Sequence, residues 1–392
     1  VSPPGIWGAE ARRLWGLEPG LRFLNHGGFG ATPLEILAEQ AAWRARMERN
    51  PPRFLSRDLP GLLRQAAGDL AGFVGTAPER LAFVTNATAG ANAVLRSLSF
   101  APGDEILHTD HIYNAVRQTL RHVAARSGAC CVEVALGMPV PGGAEILAAI
   151  AAAFTGRTRL LVIDHVASAS AVEFPVAALA ALCRARGIAL LVDGAHAPGL
   201  LDLDVDAIGA DWYVGNCHKW LCAPKGAGFI AVADRPTPPV HPPVISHFHG
   251  QGFTAEFDWT GTQDPTAMLC VPSALRFHAR LGGAALRARN RAMAAEAASR
   301  LALALGGVPG GALQQFHAMA TIVLPQAAAT PETVRSLQAQ LLAQHNTEAV
   351  FTLVAGRLSL RVSVQAYTEA WEFDGLDSAI LKALEAQEAV PS

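Results

Sequence analysis

The stretch LLVDGAHAPG (Leu190–Gly199) runs from apolar residues straight into Asp193, a glycine and His196. An uninterrupted apolar run that stops at a polar residue and a breaker suits a strand covered on both faces, because neither face leaves room for polar side chains. Asp193 then sits at the strand's carboxyl end. In open α/β sheets that end is where ligands bind.

Runs of the same kind flank it: RLAFVT (Arg80–Thr85), DEILHTD (Asp104–Asp110), ACCVEVAL (Ala129–Leu136), TRLLVIDHV (Thr158–Val166), ADWYVGN (Ala210–Asn216) and GAGFIAVA (Gly226–Ala233). With the run beginning at Ile188 they make seven strands. Between several of them lie alanine- and leucine-rich helical patterns such as GANAVLRSL and PVAALAALCRARG, the second closed by Gly187. Strand alternating with helix predicts an α/β fold with a mostly parallel seven-stranded sheet.

At 392 residues the chain exceeds what one hydrophobic core usually holds. The texture changes after residue 233. A proline- and histidine-rich loop is followed, from Val271, by long amphipathic helices, two strand-like pieces (EAVFTLVAG and RLSLRVSVQ) and a last helix. The expected division is a large domain over 21–270 and a smaller α+β domain over 271–392, with residues 1–20 packing against the latter.

Half the residues are apolar and the formal net charge is −2, so no global field draws the chain to nucleic acid or an anionic membrane. Six scattered cysteines without a CxxC pair read as reduced thiols. No run reaches bilayer length and no apolar leader opens the chain, so the expected location is cytoplasmic.

Lys219, in DWYVGNCHKWLCAPKGAGFI (Asp211–Ile230), is the chemically informative residue. A lysine in apolar surroundings either lays its stem on the surface with its ammonium in water, or is buried with a lowered pKa and attacks a carbonyl. Asp193 either caps a turn or holds a pyridine nitrogen protonated. FVTNATAGAN (Phe83–Asn92) gives strand, small-residue turn and helix start, where backbone N–H groups and the Thr88 hydroxyl suit a phosphate. His247 and His249 form H-x-H without an acidic or cysteine partner at helpful spacing, and read as loop histidines rather than metal ligands.

Five stretches in order resemble the class V aminotransferase group of fold-type I pyridoxal 5'-phosphate (PLP) enzymes, and within it the isopenicillin N epimerase-like branch. They are FLNHGGFGATP (Phe23–Pro33), DGAHAPG (Asp193–Gly199), GNCHKWLCAPKGAGF (Gly215–Phe229), WTGTQDP (Trp259–Pro265) and RVSVQAY (Arg361–Tyr367). The resemblance implies that Lys219 forms the Schiff base with PLP in the large domain, Asp193 pairs with the ring nitrogen and His196 lies near the ring oxygen. Ala87, Thr88, Asn216 and His218 would hold the phosphate, Ser168 would add a cofactor contact, and Thr262 would reach the phosphate of a neighbouring subunit. A homodimer with shared active sites follows from that reading. Arg361 would grip an amino-acid α-carboxylate, with Asn25 and His26 beside the substrate and Arg53 as an alternative cation. Either His111 or Tyr113 would stack on the ring face opposite Lys219.

Two positions depart from the branch. Gly28 stands where it has serine and Thr368 where it tends to have asparagine, both near the expected substrate.

A cysteine desulfurase would need a thiolate shortly before Arg361, and LLAQHNTEAVFTLVAG has none. Epimerisation needs a second acid/base across from Lys219, which Tyr113 or His111 would supply. β-Elimination needs only Lys219 and room for a leaving group. The expected order is epimerase or racemase first, C–S or other β-lyase second and aminotransferase third. A catalytically silent binding module is disfavoured, since it needs none of Lys219, Asp193 and Arg361.

Overall fold

In the computed structural model, which describes residues 5–325 and 329–388, the seven apolar runs are the strands of one sheet. They are β1 (Leu81–Val84), β2 (Glu105–Thr109), β3 (Cys130–Val134), β4 (Thr158–Asp164), β5 (Ala189–Gly194), β6 (Trp212–Asn216) and β7 (Gly228–Val232). Their spatial order is β1-β7-β6-β5-β4-β2-β3. Only β7 runs against its neighbours.

The reason for the unbroken apolar runs is visible in β4. Leu161 and Ile163 enter one hydrophobic core while Leu160 and Val162 enter a second core on the opposite face. All four are fully enclosed. Each such side chain contributes about 1.5–3 kcal/mol by leaving water, so a polar residue on either face would be costly. Polar residues therefore collect at the strand ends.

Helices Ala87–Ser97, Asn114–Ser127 and Val176–Arg186 lie between these strands in sequence, the last closed at Gly187 as its sequence predicts. The long helical pattern after Val271 breaks at Gly282–Gly283 into Val271–Arg280 and Ala284–Ala304.

A second, antiparallel sheet contains β8 (Val308–Pro309), β9 (Met319–Val323), β10 (Val350–Val354) and β11 (Arg357–Ser363), in the order β10-β11-β9-β8. The sequence reading has β10 and β11 but not β9. That strand is short and buried throughout, so it lacks the alternation that marks a half-exposed strand. Residues 1–4, 326–328 and 389–392, which belong to the expected N-terminal segment and small domain, lie outside the described residues. Near the amino end, Arg22–Phe23 pairs in parallel with Thr347–Glu348. The opening segment is thereby carried to the side of the small sheet.

No helix among the described residues is long and apolar enough to cross a membrane.

Candidate active site

Three parallel strands end in polar residues at one edge: Asp164 on β4, Asp193 on β5 and Asn216 on β6. Asp164 and Asp193 are direct register partners. Beyond Asn216 the chain turns through residues 217–227 before entering β7, and this turn carries His218 and Lys219 over the strand ends. A cleft of about 450 Å³ results, lined by Thr88, Asp164, Asp193, His196, His218 and Lys219 among others. A cavity of about 530 Å³ adjoins it, where Lys219 meets Asn25, His111, Tyr113, Ser168 and Arg361.

Lys219 is buried, and burial followed by the Arg361 charge lowers its pKa to about 8 against the pull of Asp193 and Asp164. Its Nζ lies 3.0 Å from His196 Nε2. The Trp220 indole N–H donates to His196 Nδ1 at 3.4 Å. An indole only donates, so Nδ1 is the acceptor and the neutral ring carries its proton on Nε2. That proton points at Lys219, which accepts it only as a neutral amine. Burial, followed by the Lys219 charge, holds His196 well below the usual imidazole range, in keeping with the neutral ring.

The two carboxyl groups are unequal. Asp193 accepts from the Ala195 N–H at 3.0 Å, whereas Asp164 Oδ2 is buried with no hydrogen-bond partner. Burial and the adjacent Asp193 push Asp164 well above the usual carboxylate range, so Asp164 is the member that keeps a proton. Sequence reasoning passed over Asp164. The signal was present, since TRLLVIDHV ends its apolar run on aspartate as the β5 segment does.

At the start of helix Ala87–Ser97, Asn86 caps the helix by accepting from the Ala89 N–H at 2.9 Å. Asn216 Oδ1 accepts from the Ala87 N–H at 2.8 Å. Thr88 lines the cleft beside them, with His218 and Lys225 close by. Burial leads in lowering both of these cationic candidates, His218 to about 4.

Arg361 is buried on β11. Its guanidinium donates to the Ser168 carbonyl and hydroxyl and, at 3.0 Å, to Asn25 Oδ1, while its Nε has no partner. Among the described residues no carboxylate pairs with it. Burial lowers its pKa to about 10, still above neutral, so a charged fork lies in the cavity without an anion.

The Gly28 backbone approaches Asn25 so closely that a Cβ there would lie 2.8 Å from Asn25 Oδ1, the atom that Arg361 bonds. Gly30 has φ +69° and a Cβ there would lie 2.0 Å from the His218 carbonyl. Only glycine fits at that point.

Other expected residues are placed differently. His26 lines neither cavity. It is fully buried, with Nε2 bonding the Lys219 carbonyl at 3.0 Å and Nδ1 the Tyr367 hydroxyl at 2.8 Å, so it steadies the lysine backbone. Thr368 is likewise buried, its hydroxyl accepting from the Gln365 N–H at 3.0 Å, which corrects its expected position near the substrate. Arg53 and Thr262 are exposed and line neither cavity of this chain. Tyr113, 44% exposed, lines both cavities, whereas His111 lines only the one holding Arg361. The His111 Nε2 is committed to the Gly137 carbonyl at 2.9 Å and its Nδ1 is enclosed.

Residues 55–376 match the family described as aminotransferase class-V. The chain belongs to that family. Class V enzymes work with PLP, and the residues present fit that group: a buried carboxylate, a buried low-pKa lysine and a helix start share one cleft. The class V chain is 35% identical to isopenicillin N epimerase of Streptomyces clavuligerus, over 95% of its own length and 97% of that protein. It is 31% identical to L-cysteine desulfhydrase of Arabidopsis thaliana over 94% and 89%, respectively. In fold it is similar to the cystine C-S lyase C-DES solved with its reaction product cysteine persulfide, with a TM-score of 0.77 and 22% identity over 92% of this chain and 97% of that one.

Proposed function

We propose that this class V enzyme is an epimerase or racemase acting at Cα of an amino acid or an amino-acid-containing substrate. The supporting observation is the buried Arg361 fork, without an anion, in one cavity with Lys219 and Tyr113. A substrate α-carboxylate supplies the missing charge through paired hydrogen bonds. PLP, when bound, supplies the sink for the electron pair left at Cα.

In this reading Lys219 would hold PLP and would move the Cα proton. Asp193 keeps the ring nitrogen protonated, and His196 and Ser168 border the ring. Thr88, the helix start at Ala87, Asn216 and His218 hold the phosphate, with Thr262 reaching across from a second subunit of a homodimer. Tyr113 is the acid/base of the opposite side, because the His111 nitrogens are bonded or enclosed while Tyr113 is open to the cavity.

β-Elimination is the second reading, favoured by the similarity to L-cysteine desulfhydrase. Turnover of a responsive amino acid in deuterated water separates the two. Deuterium at Cα with inverted configuration is the expected result, and Tyr113→Phe abolishes inversion while exchange with retention persists. A keto product formed with release of ammonia and without inversion establishes elimination instead.

The carboxylate assignment has its own test. Arg361→Ala is expected to raise KM for the amino acid at least about 30-fold, the equivalent of roughly 2 kcal/mol, with PLP still bound. Arg361→Lys recovers only part of this, because a point charge does not reproduce the fork. Parent-like KM in both variants would move the carboxylate elsewhere, with Arg53 the next cation to test.

A further inference from the structure

The proline- and histidine-rich loop takes no part in the chemistry above. Its sequence spacing offers His247 and His249 no partner, but the fold supplies a different set. His241, His249 and Glu256 converge, their nearest ligand atoms all within 4.8 Å of one another. Glu256, on the short helix Phe253–Asp258, is buried, while the two imidazoles are partly open to solvent.

The carboxylate is oriented for a purpose its own hydrogen bonds do not exhaust. The Gly250 N–H anchors Oε1 at 3.2 Å, which turns Oε2 towards both rings, with His241 Nδ1 at 2.7 Å and His249 Nδ1 at 3.3 Å. His241 is itself fixed by its backbone N–H, which donates to Ser97 Oγ at 2.9 Å. Burial alone would raise the Glu256 carboxyl, but the His241 imidazole and the Gly250 N–H outweigh it and keep the group ionised.

We propose that His241, His249 and Glu256 form a site for a divalent cation of the zinc class. Two imidazole nitrogens and one carboxylate oxygen select zinc or cobalt over the harder calcium and magnesium. Tetrahedral bonds of about 2.0–2.2 Å set ligand atoms roughly 3.3–3.6 Å apart, so the His241–Glu256 pair opens slightly from 2.7 Å while the widest separation, within 4.8 Å, closes. Each imidazole would present Nδ1 to the ion, with its ring proton on Nε2. A bound ion ties residues 241–256 into one unit just ahead of the WTGTQDP segment.

Chelator-treated holoenzyme titrated with zinc chloride by calorimetry tests the site, with cobalt absorption reporting the ligand geometry. One saturable equivalent per chain and a tetrahedral cobalt spectrum are expected. His241→Ala and His249→Ala should each weaken zinc binding tenfold or more, with the PLP absorbance retained. These substitutions spare the buried Glu256, so loss of folding does not obscure the result. Absence of a saturable equivalent, or an equivalent that both variants bind as tightly as the parent, would overturn the proposal and direct attention to the adjacent thiols Cys130 and Cys131 for any remaining zinc.

Discussion

Lys219→Ala is expected to fold, to carry no borohydride-trapped PLP and to turn over at least about 10³-fold more slowly. The magnitude follows from the two roles proposed for one nitrogen: the covalent hold on PLP and the transfer of the Cα proton. With a pKa of about 8, the amine is roughly one-quarter neutral at pH 7.5, against ~0.1% for a lysine at its ordinary 10.5. That gain of about two hundredfold in nucleophilic amine is what burial contributes. The sign of the pH dependence is fixed: uptake of PLP by the apoenzyme accelerates as pH rises through about 8 and levels off above it. An adduct trapped on another lysine in Lys219→Ala would remove the residue from its role.

Asp193→Asn keeps the shape of the site and removes the charge proposed to hold the ring nitrogen protonated. A loss of about 3 kcal/mol of transition-state stabilisation is expected, or roughly 10²-fold in kcat. Asp164 does not compensate. It lies in register beside Asp193, but its carboxyl is kept neutral by burial and by that same neighbour. With Asp193 gone the repulsion on Asp164 disappears while the burial remains, and an uncompensated ion there is still costly. Near-normal turnover in Asp193→Asn would show that another group holds the nitrogen.

The large sheet is legible in the chain because its central strands β4 to β6 are carried by apolar residues, alternate ones going to opposite cores. Lys219, Asp193 and Arg361 are legible through residue type and through the family segments that contain them. Other features arise from contacts that spacing does not encode. Nothing in NHGG tells that His26 bonds the Lys219 carbonyl rather than a substrate, since 193 residues separate the two. Glu256 lies seven residues beyond His249, and only the return of the loop against the short helix turns one carboxylate oxygen to both histidines. Thr262 shows a different limit: its expected role concerns the phosphate site of a neighbouring subunit, not the cleft of its own chain.

The contact between Asn25 and Arg361 spans 336 residues, and that between Ala87 and Asn216 spans 129. Closing such distances costs chain entropy before any contact rewards it, so they form late and slowly. The β1–β7 pairing, between residues 81–84 and 228–231, carries the same delay. The two halves of the cleft are thus held by parts of the chain that only the finished fold brings together, so a break anywhere between residues 25 and 361 separates the substrate fork from the residues that position it.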